Sequence, residues 1–191
     1  GGDTLDAAGV IDVENISQIT PSFTFSANGP WAISSIRGVG TNNVFAGGDP
    51  SVTMQVDGVY FARVANNNID FMDVERVEVL RGPQGTLYGR NAVAGTINVI
   101  TREPGDELFA KARFTAGNYG LYRGDAALSG PIVPGKVYGG FAGQIVKRNG
   151  YIEQLSPGLE DGWTADRWAL RGKLRFVLTD DIEVTLAGDY A

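Results

Sequence analysis

In the stretch DRWALRGKLRFVL, Trp168, Leu170, Leu174, Phe176 and Leu178 share one parity, while Arg167, Arg171, Lys173 and Arg175 share the other. A period of two puts these sets on opposite faces of a β-strand. One face is apolar and the other carries the basic residues. Four further segments from about residue 107 onward repeat the pattern. ELFAKARFTA sets Leu108, Ala110, Ala112, Phe114 and Ala116 against Glu107, Lys111, Arg113 and Thr115. LYRGDAALSG sets Tyr122, Ala126 and Leu128 against Arg123, Asp125 and Ser129, and KVYGGFAGQIVK gathers Val137, Phe141 and Ile145. The last segment sets Ile182, Val184, Leu186 and Tyr190 against Glu183, Thr185 and Asp189.

Five such segments in succession match the dyad pattern of a transmembrane β-barrel. A soluble antiparallel sandwich also alternates, but charge on the second face suits a water-filled or plugged lumen better than a soluble sheet. Magnitude decides which face is outermost. Arg171, Lys173 and Arg175 turned toward hydrocarbon would cost about 2–4 kcal/mol each near the midplane, so the apolar face is predicted to be the outer one. The connections GPIVPGK and LTDD are short and RNGYIEQLSPGLEDGWTA is long, while GNYG is short but falls on the same side as the long one. Barrels of this kind have short periplasmic turns and longer external loops. The first strand is therefore predicted to rise from the periplasm, with residues 149–165 outside. Five strands leave an edge that lipid does not tolerate, and EVTLAGDYA ends in the manner of a strand interior. The expectation is a segment of a longer chain.

Composition narrows the chemistry. The chain has no cysteine and no histidine, which removes thiol chemistry, disulfides, the usual zinc sets and any histidine-based triad. An acidic balance, 22 Asp and Glu against 16 Lys and Arg, argues against a general nucleic-acid binder. RGVGTNN holds Gly38 and Gly40 but completes neither a dinucleotide nor a P-loop pattern. Asp180 and Asp181 sit in a turn, and no nucleophile–base pair is evident. No catalytic residue, metal site or cofactor is predicted. There is no run of 18 apolar residues, hence no transmembrane helix, and no charged-then-apolar leader.

The first part of the chain, to about residue 104, reads differently. Asp12 is an N-cap candidate before Val13, Ile16 and Ile19, and Pro21 stops the pattern, so DVENISQITP is predicted to hold a short helix. WAISSIRG, SVTMQV, VERVEVL and GTINVIT read as strands, and Asp57-Gly58 marks a hairpin turn. The Gly- and Asn-rich GTNNVFAGGDP and ARVANNN read as loops. Together they predict an α+β unit. Between VERVEVL and GTINVIT runs RGPQGTLYGRNAVA. There Pro83 fixes φ, Gly82 and Gly85 allow a tight reversal, and Tyr88 offers a ring to bury and a hydroxyl to satisfy. The stretch is predicted to lock two strands rigidly together.

DVERVEVLRGPQGTLYGRNAVAGTINVITREP resembles the second half of the plug domain of TonB-dependent outer-membrane receptors, and ISSIRGVG and VTMQVDGVY resemble the two preceding plug strands. The likeness runs from about residue 5 to 104. It implies a plug domain over 1–104, lacking its N-terminal part, followed over 105–191 by the first five or so strands of a 22-stranded barrel. It further implies a bacterial outer-membrane location. A scarce nutrient, most often a ferric siderophore, with haem or cobalamin as other cases, would bind between plug apex and external loops. Energised TonB of the inner membrane would then pull a segment expected upstream of residue 1. The implied partners are the TonB complex, a small-molecule ligand and outer-membrane lipid, with no nucleic acid and no enzymatic role.

At the plug apex the expected ligand contacts are Arg37, Tyr60, Phe61, Arg63, Asn66 and Asn67, since Arg pairs with anionic groups and aromatic rings give broad contact. The competing readings are hairpin packing for Tyr60 and Phe61, an internal salt bridge for Arg37, and an ordinary polar loop for the asparagines. Glu75, Glu78 and Arg81 are expected to pair with each other or with the barrel wall. They join Gly82, Pro83, Tyr88, Gly89 and Gly95 as motif and docking residues. On the long loop, Tyr151 and Trp163 are expected either to touch ligand or to anchor at the membrane edge. Two other functional readings stand beside energised uptake: a binding or signal-transducing receptor of the same architecture, and a passive porin-like channel.

Overall fold

The computed structural model describes residues 1–10, 12–28, 31–41, 50–61, 73–83, 85, 92–152, 162 and 164–191. They fall into two units, Gly1–Arg102 and Glu103–Ala191.

In the first unit, α1 (Gly2–Ala7) precedes α2 (Val13–Ile19). Asp12 caps α2 as predicted: its backbone is extended, and its carboxylate accepts the Asn15 N–H at 2.9 Å, satisfying one of the orphan donors of the first turn. Val13 and Ile16, three residues apart on one face, are both buried. Three strands follow, β1 (Phe23–Asn28), β2 (Trp31–Ile36) and β3 (Val39–Gly40), in an antiparallel sheet of order β1-β2-β3. The second sheet holds β4 (Val52–Val56), β5 (Val59–Phe61), β6 (Val74–Arg81) and β7 (Gly95–Thr101) in the order β5-β4-β7-β6. β4 and β7 run parallel, while β5 and β6 flank them antiparallel.

The core of this unit joins both sheets to α2. Val52, Met54 and Val56 of β4 and Ile97 and Val99 of β7 meet Val13, Ile16, Phe23 and Ile36. Alternation sends the intervening residues to the opposite face. There the buried Thr53 and Thr96 hydroxyls satisfy each other at 2.8 Å. The predicted helix and strands are present. The structure adds α1, β1 and the two-residue β3, which the sequence reading leaves without assignment.

The second unit is one antiparallel meander of five strands, β8 (Phe109–Gly117), β9 (Leu121–Val133), β10 (Val137–Arg148), β11 (Ala165–Thr179) and β12 (Ile182–Tyr190). Each strand pairs with its sequence neighbours, and the ladder keeps like faces together. Leu128 stands opposite Phe141, Ile145 opposite Trp168, and Leu174 opposite Leu186. On the other face Arg113 stands opposite Asp125, Asp125 opposite Gln144, and Arg171 opposite Asp189.

The exposure of these faces is the reverse of a soluble sheet. Leu108 is 77 % exposed and Phe114 73 %, whereas Arg123 is 3 % and Lys173 4 % exposed. Among the described residues no helix is long and apolar enough to cross a membrane, a statement that leaves crossing by strands open.

Candidate functional site

Three groups of residues bear on function, and the first is the glycine-punctuated connection between β6 and β7. Its strands pair antiparallel, Arg81 opposite Gly95 and Val79 opposite Ile97. The mouth of the connection is closed by the Gly82 N–H donating to the Ala94 carbonyl at 2.9 Å, and the Ala94 N–H to the Ser51 carbonyl at 2.9 Å. Gly82 has φ +96, outside the range of most side chains. Gly95 is held more tightly still. A Cβ there would overlap the Leu80 carbonyl oxygen and lie 2.7 Å from Ile36 Cδ1. The glycine thus lets β6 and β7 approach where β2 also packs. Pro83 is exposed, and Tyr88 and Gly89 lie outside the described residues.

The far end of β7 is fastened by a residue that the sequence marks only as a turn former. Asp57, at φ 48 in the β4–β5 hairpin, turns its carboxylate to Thr101. It accepts the Thr101 N–H at 2.8 Å and the hydroxyl at 2.6 Å, while its own N–H donates to the Val99 carbonyl at 3.0 Å. One aspartate therefore sits in the turn of its own hairpin and fastens the end of the neighbouring parallel strand.

The carboxylates of β6 are placed differently from expectation. Arg76, not Arg81, holds both: its Nη1 donates to Glu75 at 2.7 Å and its Nε to Glu78 at 2.8 Å. Arg76 and Glu78 share a face by alternation. The register shift between Val74 and Arg76 is a bulge that leaves Glu75 beside its neighbour. Arg81 has the opposite parity, stands exposed at the strand end, and forms no ion pair with either glutamate. The Arg76 hydrogen bond, followed by that of the Asn98 amide at 3.3 Å, holds the Glu78 carboxyl below the usual carboxylate range.

The predicted apex residues are dispersed. Arg37 is exposed at the β2–β3 turn with φ 53, its N–H donating to the Ser22 carbonyl at 2.7 Å. Tyr60 and Phe61 lie on β5 in the other sheet, and Phe61, opposite Met54, packs against the core. Tyr60 stands opposite Gln55 on the polar side. Arg63, Asn66 and Asn67 lie outside the described residues.

The second group is the polar face of the meander. Asp125 is its hub. Arg123 Nε donates to it at 3.0 Å, Arg113 Nε at 3.2 Å and Gln144 Nε2 at 2.8 Å. Three strands thus converge on one carboxylate, and a buried charge is tolerable only when it is paired this fully. Arg171 pairs with Asp189, and Arg175 with Glu183 through Nη2 at 2.7 Å and Nε at 3.1 Å. Arg175 also donates to the Pro104 carbonyl at 3.2 Å and lies 5.3 Å over the Tyr138 ring. Tyr138 donates to Asp106 at 2.7 Å, and Lys173 lies 3.5 Å from Glu103. This lattice staples the first residues of the unit onto its own charged face.

The third group lies where the long connection leaves the sheet. Tyr119, at φ 59 in the β8–β9 turn, stacks obliquely on Tyr151 at 5.8 Å, and Arg148 sits 5.2 Å over the Tyr151 ring. The Asn149 N–H ties the two connections together by donating to the Tyr119 carbonyl at 2.9 Å. Trp163 lies outside the described residues. Among those residues no three His, Cys, Asp or Glu side chains gather as a metal site.

With this geometry in place, likeness to known proteins can be weighed. The model of the TonB-dependent receptor plug domain matches residues 1–96. The pesticin receptor of Yersinia pestis is 37 % identical over 71 % of this chain and 20 % of its own length. The ferripyoverdine receptor of Pseudomonas aeruginosa is 29 % identical over 97 % of this chain and 22 % of its own. Among solved structures, the ferric yersiniabactin uptake receptor of Yersinia pestis superposes with a TM-score of 0.87 at 32 % identity, over 97 % of this chain and 29 % of that one. The outer-membrane ferripyoverdine receptor of Pseudomonas aeruginosa, bound to ferripyoverdine, gives 0.79 at 26 % identity, over 97 % and 23 %. The chain spans about a fifth of the length of the curated relatives it matches. A plug-type α+β unit followed by antiparallel strands, at this level of likeness, places the chain in the TonB-dependent receptor family of the bacterial outer membrane, a family of transport receptors and not of enzymes.

Proposed function

We propose that this chain is the plug (residues 1–104) and the first five barrel strands (105–191) of a receptor for energised uptake of a ferric siderophore or related iron complex. The observation that carries the barrel half is the reversed amphipathicity of β8–β12, with Leu108 and Phe114 exposed and Arg123 and Lys173 buried. A face of that kind is stable against hydrocarbon, and a charged interior is stable around water or a polar plug. Further strands, up to the 22 of the family, would close the sheet and pair the outer edge of β12.

The cargo reading rests on the relatives, whose names specify ferric yersiniabactin and ferripyoverdine. In this reading the β9–β10 and β11–β12 turns face the periplasm, and the β8–β9 turn and the 149–165 connection lie outside. Arg37 and Tyr60 are proposed as ligand contacts together with Arg63, Asn66 and Asn67, while Phe61 packs against the core. Tyr151, beneath Arg148 and beside Tyr119, gives the external side an aromatic and cationic surface suited to an anionic iron chelate. Gly82 and Gly95 keep the β6–β7 pair tight, and Glu75, Glu78, Arg81, Pro83, Tyr88 and Gly89 are proposed with them as motif and docking residues. TonB is the proposed partner that supplies the force for uptake by the whole receptor.

The test is binding by the full-length receptor across ferric siderophores, haem, cobalamin and oligosaccharides. One ferric chelate should bind, and Arg37→Ala and Tyr60→Ala should weaken it while leaving folding intact. Preference for a metal-free oligosaccharide would overturn the cargo assignment.

A further inference from the structure

Among the described residues, three turns place two consecutive residues at positive φ: Arg37-Gly38 (53 and 78), Asp57-Gly58 (48 and 80) and Tyr119-Gly120 (59 and 63). Both central residues of a type I′ hairpin turn take this conformation. Glycine holds the second position each time. The first position favours Asn, Asp or Gly, which enter the left-handed region most readily. Asp57 is such a residue, and its carboxylate fastens Thr101. Arg37 is already among the proposed ligand contacts. Tyr119 is left, a bulky side chain for which positive φ is an outlier.

The bonds that hold this turn do not call for a tyrosine. The Leu121 N–H donates to the Asn118 carbonyl at 3.2 Å and the Asn149 N–H to the Tyr119 carbonyl at 2.9 Å. Both are backbone bonds that any residue at 119 would allow. The ring itself is exposed, and it pairs with another exposed ring, Tyr151, at 5.8 Å and a tilt of 51°. Arg148 lies 5.2 Å over the Tyr151 ring. Arg148 shares the parity of the buried Gln144 and Val146, so the cluster belongs to the charged side of the meander. The outward side has its own aromatic pair, Trp168 stacked on Tyr190 at 5.0 Å, as a membrane edge favours.

We infer that Tyr119 is a specificity residue, held in a turn that selects against it because its ring, with Tyr151, receives a chelate whose iron-binding groups are aromatic anions, catecholate or phenolate. The inference rests on the reading of this chain as part of a receptor for a ferric chelate, and it names the chemical class of that chelate. A backbone outlier at a ligand site is strain retained for function. A donor ring packs offset or edge-on against tyrosine, and the oxygens it carries suit the guanidinium of Arg148. A hydroxamate or carboxylate chelate offers the two rings nothing to stack on.

The test measures binding of two sets of ferric chelates, one with catecholate or phenolate donors and one with hydroxamate or citrate donors. Each is titrated against the full-length receptor, Tyr119→Asn and Tyr119→Phe. Asn is a residue this turn prefers, so Tyr119→Asn should hold or raise stability against denaturant. The same substitution should cut affinity for the aromatic chelate about fivefold, the weight of one aromatic pair. Tyr119→Phe keeps the ring and should keep the affinity. Unchanged affinity in Tyr119→Asn, or binding confined to the hydroxamate and citrate set, would overturn the inference and leave the ferric-chelate reading standing. A loss of stability in Tyr119→Asn would give the ring a structural role and overturn it as well. Binding of no ferric chelate by the unaltered receptor would remove the cargo reading itself, and the role of Tyr119 with it.

Discussion

At the scale of single residues, the plug unit depends on positions where one atom more or fewer is felt at once. Gly95 is the sharpest case, with Leu80 and Ile36 occupying the space a side chain would need. Gly95→Ala is expected to destabilise the β6–β7 pair by about 3 kcal/mol, the upper end for backbone strain. Faster amide exchange along β7 in the full-length receptor would register it, and unchanged exchange would contradict the packing described. Asp57 makes a complementary prediction. Asp57→Ala leaves the Thr101 N–H and hydroxyl without their acceptor and should cost about 1–3 kcal/mol. Asp57→Asn keeps one acceptor oxygen and tolerates φ 48, so its cost should be distinctly smaller. If both variants lose the same stability by denaturant titration, the carboxylate bonds are not what fastens that end of the strand.

At the scale of elements, β6 carries a pH response whose sign follows from Glu78. Its carboxyl is held below the usual range by Arg76 and Asn98, so its contribution is complete above the unfolded value of about 4.3. That contribution is lost as pH falls through the lower folded value. Side-chain exposures of 46 % for Arg76 and 35 % for Glu78 mean that salt weakens it. Local opening of β6 should rise on acidification in low salt, and Glu78→Gln should lack that part of the response. An identical acid profile in the variant would remove Glu78 from the account. In the meander, Leu174→Arg turns a charge outward and should lower folding stability in bilayers by about 2–4 kcal/mol. Ala187→Glu, inward and opposite Lys173, should be nearly neutral, and equal penalties for the two would refute the assignment of faces. These strands were legible in the sequence because a period of two is local and most of the charged residues keep to one face. The Asp12 cap and the Asp57-Gly58 turn were legible for the same reason. The parallel pairing of β4 with β7, residues more than forty positions apart, leaves no local trace. Nor does the bulge that hands Glu75 to Arg76. β1 does alternate Phe23 and Phe25 with Thr24 and Ser26 and is as long as β2, so its signal is present in the sequence, while α1 and β3 are too short to show a period.

At the scale of the whole molecule, the two units divide the work of a family that guards passage through the outer membrane. The plug unit uses two small sheets and a capped helix around one apolar core, with glycines where strands crowd. The meander exposes its apolar face and concentrates its ion pairs on the other, which suits a wall between lipid and a polar interior. In the proposed reading the plug is a gate that energised TonB must move. The most direct measurement is uptake of the bound ferric chelate by cells carrying the full-length receptor, with and without its TonB-interacting segment. Uptake that collapses on deletion while surface binding persists is the predicted result. Equal uptake in both would contradict an energised plug and leave a passive channel in its place.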